Sequence, residues 1–252
     1  MEARNRLLRV YFDRVYNRVY DFTTARLTRY RKLQETCISK LDFSDHDKIL
    51  CLGVGTGNEI MHILSTNDNV QIVGVDYSGK ALQKARQKIL KQGKEIETHI
   101  MDVQRLDFPA ESFDKVLCIH VMDWVDDNHQ ATGELFRVLK AGGQFVITYP
   151  SDKEGAKLGY NLMKDMIRTN SDSGKHPAQA FFVTAAQMIT MLVYVPLISR
   201  PHKKSYSRQE LEKMIRQAEG GGIQIDEDVV YQDFIVYGSK ETKGGKVHAI
   251  RR

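Results

Sequence analysis

The chain is poor in cysteine, proline and tryptophan: its 252 residues include three, five and one of them. Cys37, Cys51 and Cys118 show neither CxxC nor metal-ligand spacing, so neither a disulfide framework nor a structural zinc site organises the fold. Cys51 and Cys118 lie in apolar runs, where a thiol packs as a small hydrophobe. Long hydrophobic runs are missing too. The longest, Ala185 to Ile198, is interrupted by Gln187 and Pro196 and falls short of the roughly 18 residues a membrane span needs. The first residues are charged throughout, so no secretory signal is expected, and a cytoplasmic location follows. Neither sign of charge dominates. Lys and Arg number 37 against 32 Asp and Glu, a net charge of +5 that is too small for a dedicated nucleic-acid binder. There is no internal repeat.

What is present is ordinary globular material, 42% hydrophobic and 27% charged, enough to bury the core of one α/β domain with or without an embedded cap. The charge is uneven. Arg4, Arg6, Arg9, Arg14, Arg18, Arg26, Arg29, Arg31 and Lys32 crowd the N-terminus against Glu2, Asp13 and Asp21. Such a helix is either a solvated face or one that meets an anionic membrane surface or substrate.

Residues 3 to 40 carry apolar positions at helical steps: Leu7, Val10, Tyr11, Val15 and Val19. Strand and helix signals then alternate. Lys48 to Leu52 reads as a buried strand ending in glycines, and Glu59 to Leu64 as a helix. Val70 to Val75 is a second strand, and Ser78 caps the helix through Ala81, Leu82, Ala85 and Ile89. Further strands are expected at Glu95 to Met101, Phe113 to Ile119 and Gln144 to Tyr149. The helix from Asn128 to Leu139 should close on a left-handed glycine in Gly142-Gly143. This alternation argues for a parallel sheet with helices on both faces.

Ser151 to Tyr206 breaks the alternation and reads as a mostly helical insertion with a polar loop at Thr169 to Pro177. Ser207-Arg208-Gln209-Glu210 fits a capping box opening a helix that should stop at Gly220-Gly221-Gly222. Ile223 to Val230 and Tyr231 to Tyr237 follow with a minimal connection, which requires antiparallel pairing. The Lys- and Gly-rich tail from Ser239 has few apolar residues to dock it.

Gly53-Val54-Gly55-Thr56-Gly57 follows the first strand directly. Three alternate glycines permit a tight turn and a close backbone approach to a ligand. The helix behind them presents free N–H groups. Asp76 ends the second strand about 20 residues on, where this architecture places a carboxylate against a ribose hydroxyl pair. A nicotinamide site would need G-x-G-x-x-G, and Asn58 occupies the third glycine position, which favours a mononucleoside with a short charged tail.

Together these residues resemble a family. Ile49 to Gly57 resembles motif I of the class I S-adenosylmethionine-dependent methyltransferases, and Val73-Gly74-Val75-Asp76-Tyr77-Ser78 is similar to their second motif. Met101-Asp102-Val103 with Leu106 and Phe108-Pro109 resembles the third; Ser112 to Val116 and Arg137 to Gly143 resemble the fourth and fifth. Five motifs stand in order between residues 48 and 149. Val19-Tyr20-Asp21 is similar to the Tyr-Asp element ahead of the core in the ubiquinone/menaquinone C-methyltransferase-like group and some lipid N-methyltransferases.

The resemblance implies a Rossmann-like seven-stranded sheet, mostly parallel with the last strand antiparallel, and S-adenosylmethionine as cofactor with S-adenosylhomocysteine as product. It implies that Gly53, Gly55 and Gly57 line the methionine and ribose, that Asp76 binds the ribose hydroxyls, and that Tyr77, Asp102 and the Val103 backbone surround the adenine. His120 would lie near the methionine moiety and the transferring methyl, and Tyr20 would close over the cofactor as a catalytic residue. The position of His120 just past the fourth strand, at the edge where ligands bind, makes it the expected catalytic base or else a residue that only contacts the cofactor or packs. The family often carries Asp or Glu where Cys51 stands, to orient the cofactor's ammonium end; backbone carbonyls or His120 are left to take that duty. His129, Asp123 and Tyr149 are other candidate bases. No metal is implied.

Five segments follow: N-terminal helices closing the site (1–40), a cofactor-binding core (41–150), a helical cap (151–206), a C-terminal helix and strands (207–240) and a flexible tail (241–252). Phe181, Phe182, Met188, Ile189, Met191, Leu192, Tyr194, Val195 and Leu197 give the cap an apolar lid, or else pack it onto the core. The expected activity is methyl transfer to a small lipophilic acceptor: a quinone, polyketide, isoprenoid or lipid head group. The alternatives are a non-catalytic S-adenosylmethionine-binding scaffold and an NAD-type oxidoreductase. Amino-methylating nucleic-acid enzymes often carry an Asn/Asp-Pro-Pro-Tyr/Phe motif after the fourth strand; Ile119-His120-Val121-Met122-Asp123 stands here instead, and no nucleic-acid partner is expected.

Overall fold

The computed structural model describes residues 28–67, 69–151, 157–172, 174, 176–191, 205–228 and 233–242, with Val10 and Asp13. Tyr20, with the rest of the Tyr-Asp element, lies outside them, as do Leu192, Tyr194, Val195 and Leu197 of the cap. Seven strands form one sheet: β1 (Lys48–Leu52), β2 (Gln71–Asp76), β3 (Glu97–Ile100), β4 (Phe113–Cys118), β5 (Leu139–Pro150), β6 (Gly220–Asp228) and β7 (Asp233–Lys240). Their spatial order is β3-β2-β1-β4-β5-β7-β6. β1 pairs in parallel with β2 and β4, β2 with β3, and β4 with β5; β7 runs antiparallel to β5 and β6.

The described helices are α1 (Thr28–Ile38), α2 (Asn58–Thr66), α3 (Gly79–Leu90), α4 (Asn128–Val138), α5 (Lys157–Ser171), α6 (Pro177–Met191) and α7 (Arg208–Gln217). The pleat sends successive side chains to opposite faces, so each strand feeds two cores. On one face Leu50, Val116, Phe145 and Ile147 bury Leu135 and Phe136 of α4 and Leu211 and Ile215 of α7. On the other, Ile49, Cys51, Leu117 and Val146 bury Leu33 and Cys37 of α1, Ile60 and Ile63 of α2, and Leu82 and Ala85 of α3. All three cysteines are free and buried.

The caps follow the sequence at two helices. Ser78 Oγ accepts from the Ala81 N–H, and Ser207 with Glu210 forms the reciprocal capping box of α7. Two glycine pairs act differently from the expectation. α4 stops at Val138, and Leu139 is already extended and paired with Phe113. Gly142, at φ 76°, and Gly143 lie inside β5 at a register shift, where a Cβ on Gly143 would sit 2.8 Å from the Asp114 carbonyl oxygen. They serve strand contact, not a helix end. Likewise α7 ends at Gln217 with Glu219, not a glycine, at φ 68°, and Gly220 already belongs to β6. The closing hairpin is antiparallel as expected, but its strands are offset from the expected ranges. β3 is only four residues long and half exposed, shorter than its sequence suggested.

α5 and α6 pack on each other, and α5 also meets α1, where the Arg29 N–H donates to Asp165 Oδ2 at 3.1 Å. α6 contains no charged residue. Its polar side faces α5: Asn170 Nδ2 donates to Thr184 Oγ1 at 3.0 Å and to Gln187 Oε1 at 2.7 Å. Its apolar side faces outward, with Phe181 and Phe182 each 70% exposed and Ile189 67%. Among the described residues no helix is long and apolar enough to cross a membrane.

Candidate active site

The sheet changes direction of growth between β1 and β4, and in open α/β sheets ligands bind at that switch point beyond the C-terminal strand ends. Asp76 ends β2, and the glycine turn, Asp102 and His120 follow the ends of β1, β3 and β4.

Gly53, Gly55 and Gly57 have φ of 65°, 52° and 84°. The turn needs glycine for two reasons. A Cβ on Gly53 would lie 2.2 Å from Val121 Cγ2, and one on Gly57 would lie 2.9 Å from Ala85 Cβ. These two positions let the turn sit down on the fold. Gly55 differs: among the described residues, apart from the Gly53 carbonyl oxygen at 3.9 Å, nothing lies within 4 Å of an added Cβ, so its face is open to them. Gly57 is the N-cap of α2 and gives no side-chain bond to the first turn. An open glycine face beside an uncapped helix start fits the amino-acid and ribose parts of an adenosyl sulfonium.

Asp76 is tied into this turn. Its Oδ2 accepts from the Gly55 N–H and its Oδ1 from the Ser78 N–H, each at 2.7 Å. Burial raises its pKa, and Asp13 adds to the rise, while these N–H donors oppose it. Asp13 and Ser78 Oγ form a short hydrogen bond, which brings Asp13 to the same edge. Asp102 Oδ1 accepts from the Gln104 N–H at 2.9 Å. Val103 is buried, and Tyr77 stands exposed beyond β2. The Asp76 carbonyl accepts from the Met101 N–H, which joins the two acidic strand ends.

His120 adopts φ 53°, a left-handed conformation costing about 1–2 kcal/mol for a residue with a side chain. Its N–H donates to Thr148 Oγ1 of β5 at 2.8 Å. Its ring stacks on Tyr30 of α1, with centroids 5.3 Å apart. Nδ1 lies 3.1 Å from Asp233 Oδ2 and 3.8 Å from Asp123 Oδ2. Burial alone would depress the imidazole pKa; Asp233, Asp123 and Glu59 overcome it and lift the pKa to about 9. His120 is therefore cationic at neutral pH. The three side chains could also ligate a cation by spacing, but their charges already balance in part within the cluster.

Of the other candidate bases, Asp123 belongs to this cluster, and Tyr149 and His129 do not. Tyr149 is fully buried, its hydroxyl 2.8 Å from Thr132 Oγ1, and burial pushes its pKa up. His129 is exposed in the first turn of α4. Sequence reasoning did not single out Asp233, Tyr30, Thr148 or Glu59. Asp233 opens β7 and is distant in sequence from His120; a lone Asp after a turn carries no signal of its own.

Comparison with known proteins agrees with this geometry. Residues 50–147 match the family model described as a methyltransferase domain. Phosphatidylethanolamine N-methyltransferase of Cereibacter sphaeroides is 34% identical over 153 residues, covering 60% of this chain and 73% of that one. A ubiquinone/menaquinone biosynthesis C-methyltransferase of Geotalea daltonii is 29% identical over 141 residues, and the chain spans 60% of its length. Among solved structures, Haemonchus contortus phosphoethanolamine N-methyltransferase 2, with phosphomonomethylethanolamine and S-adenosylhomocysteine bound, aligns at TM-score 0.60 with 16% identity, over 87% of this chain and 46% of that one. A Thermotoga maritima methyltransferase aligns at TM-score 0.59 with 16% identity, over 92% and 98%. With its strand order, its glycine turn and these relatives, the chain belongs to the class I S-adenosylmethionine-dependent methyltransferases.

Proposed function

We propose that the chain methylates a small lipophilic acceptor and that the reacting group is the amine of a lipid head group. The observation that carries this reading is the pair of carboxylates, Asp123 and Asp233, flanking His120 beside the glycine turn. Two carboxylates and one imidazolium leave the cluster net negative. Such a cluster attracts an ammonium head group, and the groups left to take the proton an amine must lose are the Asp123 and Asp233 carboxylates, because His120 already holds its proton at neutral pH and does not fit the role of base expected from sequence. The same charge disfavours a quinolate, the anion a quinol forms before attack at carbon. The relationship to a phosphatidylethanolamine N-methyltransferase supports the amine.

S-adenosylmethionine supplies an electrophilic methyl on a sulfonium. In this reading Gly53, Gly55 and Gly57 admit its methionine and ribose, Asp76 holds the ribose hydroxyls, and Tyr77, Asp102 and Val103 border the adenine. His120 lies next to the acceptor, with Asp233 fixing its ring. The largest contribution of the protein is orientation and the exclusion of water. Residues 151–206 act as the cap and residues 1–40 as the N-terminal closure, consistent with the contact of Asp13 with Ser78.

The outward apolar side of α6, with exposed Lys164 and Arg168 of α5 and Arg29, Arg31 and Lys32 of α1, suits contact with an anionic lipid surface from which the acceptor is drawn. Vesicle co-sedimentation with and without anionic lipid checks that contact. The acceptor itself is tested with S-adenosylmethionine carrying a labelled methyl, offered phosphatidylethanolamine in mixed micelles and, separately, a demethylated quinol. Label in N-methylated lipid is the expected result. Label in the quinol alone removes the amine and leaves methyl transfer standing.

A further inference from the structure

Cys51 occupies the position where related sequences often carry an acidic side chain. It is 3% exposed, and its thiol is pushed up by burial and further by the charge of Glu59, so it stays neutral and cannot offset a cation. The Glu59 charge is thus close to the very position that lacks one. Glu59 lies in the first turn of α2, two residues past Gly57, where its carboxylate meets Gln34 of α1 and is within electrostatic reach of His120.

The surroundings of Glu59 are unusual for a carboxylate. Its Oε1 accepts from Nε2 of Gln34, a buried residue of α1, at 2.5 Å. That partner is neutral. Among the described residues no Lys, Arg or His forms an ion pair with Glu59. Lys88, which acts on it through its charge, donates from Nζ to Asn58 Oδ1 at 2.9 Å and Thr56 Oγ1 at 3.3 Å. Burial raises the Glu59 pKa more than these neighbours lower it. A partly buried carboxylate whose side-chain donor among the described residues is neutral gains from a cation that arrives beside it. His120 cannot serve the cofactor's ammonium in its place, because it is itself cationic at neutral pH.

We propose that Glu59 binds the ammonium group of the cofactor's methionine moiety, replacing the acidic side chain absent at Cys51. The proposal rests on the reading that the glycine turn holds S-adenosylmethionine. Gln34 then acts as the positioning residue that fixes the carboxylate from α1.

The test is calorimetric titration of the full chain with S-adenosylhomocysteine and with 5′-methylthioadenosine, which keeps the adenosine and thioether but has no ammonium. Glu59→Gln should weaken S-adenosylhomocysteine about 10- to 100-fold and leave 5′-methylthioadenosine within about 2-fold. Adding Cys51→Asp to Glu59→Gln should recover most of the loss. Unchanged S-adenosylhomocysteine affinity in Glu59→Gln overturns the proposal. So does an equal loss for both compounds, which would make Glu59 a structural residue only. A wild-type chain that binds neither compound rejects the cofactor reading beneath it, a failure distinct from that of Glu59.

Discussion

The glycine-turn edge and the α5–α6 pair are built on opposite plans. At the edge, each residue's conformation is forced by a neighbour: Gly53 by Val121, Gly57 by Ala85, and Asp76 by the N–H groups of Gly55 and Ser78. In α6 the polar side chains turn inward and the phenylalanines outward, and the face they form is held by no close-packed partner among the described elements. The difference teaches where rigidity is needed. One ligand common to the whole family demands a fixed backbone, whereas on the proposed reading an acceptor that varies between relatives would be met by adaptable side chains on an appended layer.

The sharpest way to break the contrast is at Gly53. Gly53→Ala combines a strained φ with a clash at Val121 Cγ2, so a loss of about 3 kcal/mol or more is expected, along with cofactor binding. Chemical unfolding and S-adenosylhomocysteine titration check it; a variant as stable as the parent would mean the turn is not forced. Next in size, Asp76→Ala should weaken S-adenosylhomocysteine by about 2–3 kcal/mol, because it removes the hydroxyl acceptor and leaves the Gly55 N–H without its partner. Affinity unchanged on titration would detach Asp76 from the ligand.

A third prediction concerns His120. Its folded pKa, raised to about 9, exceeds the unfolded value, so its ion pairs stabilise the fold fully below about pH 6.5. That stabilisation is lost as pH rises through 9. Asp233→Asn should bring the imidazole pKa down by about 1 unit or more, which a histidine NMR titration reads, and should flatten the decline in stability between those pH values. An unmoved titration would show that Asp233 does not hold the ring. The smallest effect on stability belongs to α6. Phe181→Ser with Phe182→Ser should shift unfolding by no more than about 0.5 kcal/mol, since both side chains are already in water. The same variant should raise KM for a lipid acceptor several-fold. A large loss of stability would mean that the outward face is packed after all and would erase the contrast.

The same division separates what the sequence revealed from what it hid. The sheet, its order of strands and helices, the serine caps and the glycine turn were legible because each rests on local sequence: short continuous apolar runs, a Ser before a helix, Ser-x-x-Glu, alternate glycines after a strand. Gly142-Gly143 and Gly220-Gly221 misled as helix stops because they are packed against residues far along the chain, Gly143 against Asp114, Gly220 against Phe136 and Gly221 against Glu241, which no local window contains. Asp233 was invisible for the same reason, since 113 residues of chain separate it from His120 and only the placement of β7 beside β5 brings them to 3.1 Å. Glu59 reads in sequence as an ordinary acid in a first helical turn; its interest lies in what surrounds it once α1 and β1 are in place.

The central claim is that an adenosyl sulfonium, and not a dinucleotide, lies on the glycine turn. Parallel calorimetric titrations of the full chain with S-adenosylhomocysteine and with NAD test it most directly. The account predicts saturable 1:1 heat with S-adenosylhomocysteine and none with NAD; silence with the first, or binding of the second alone, would contradict it.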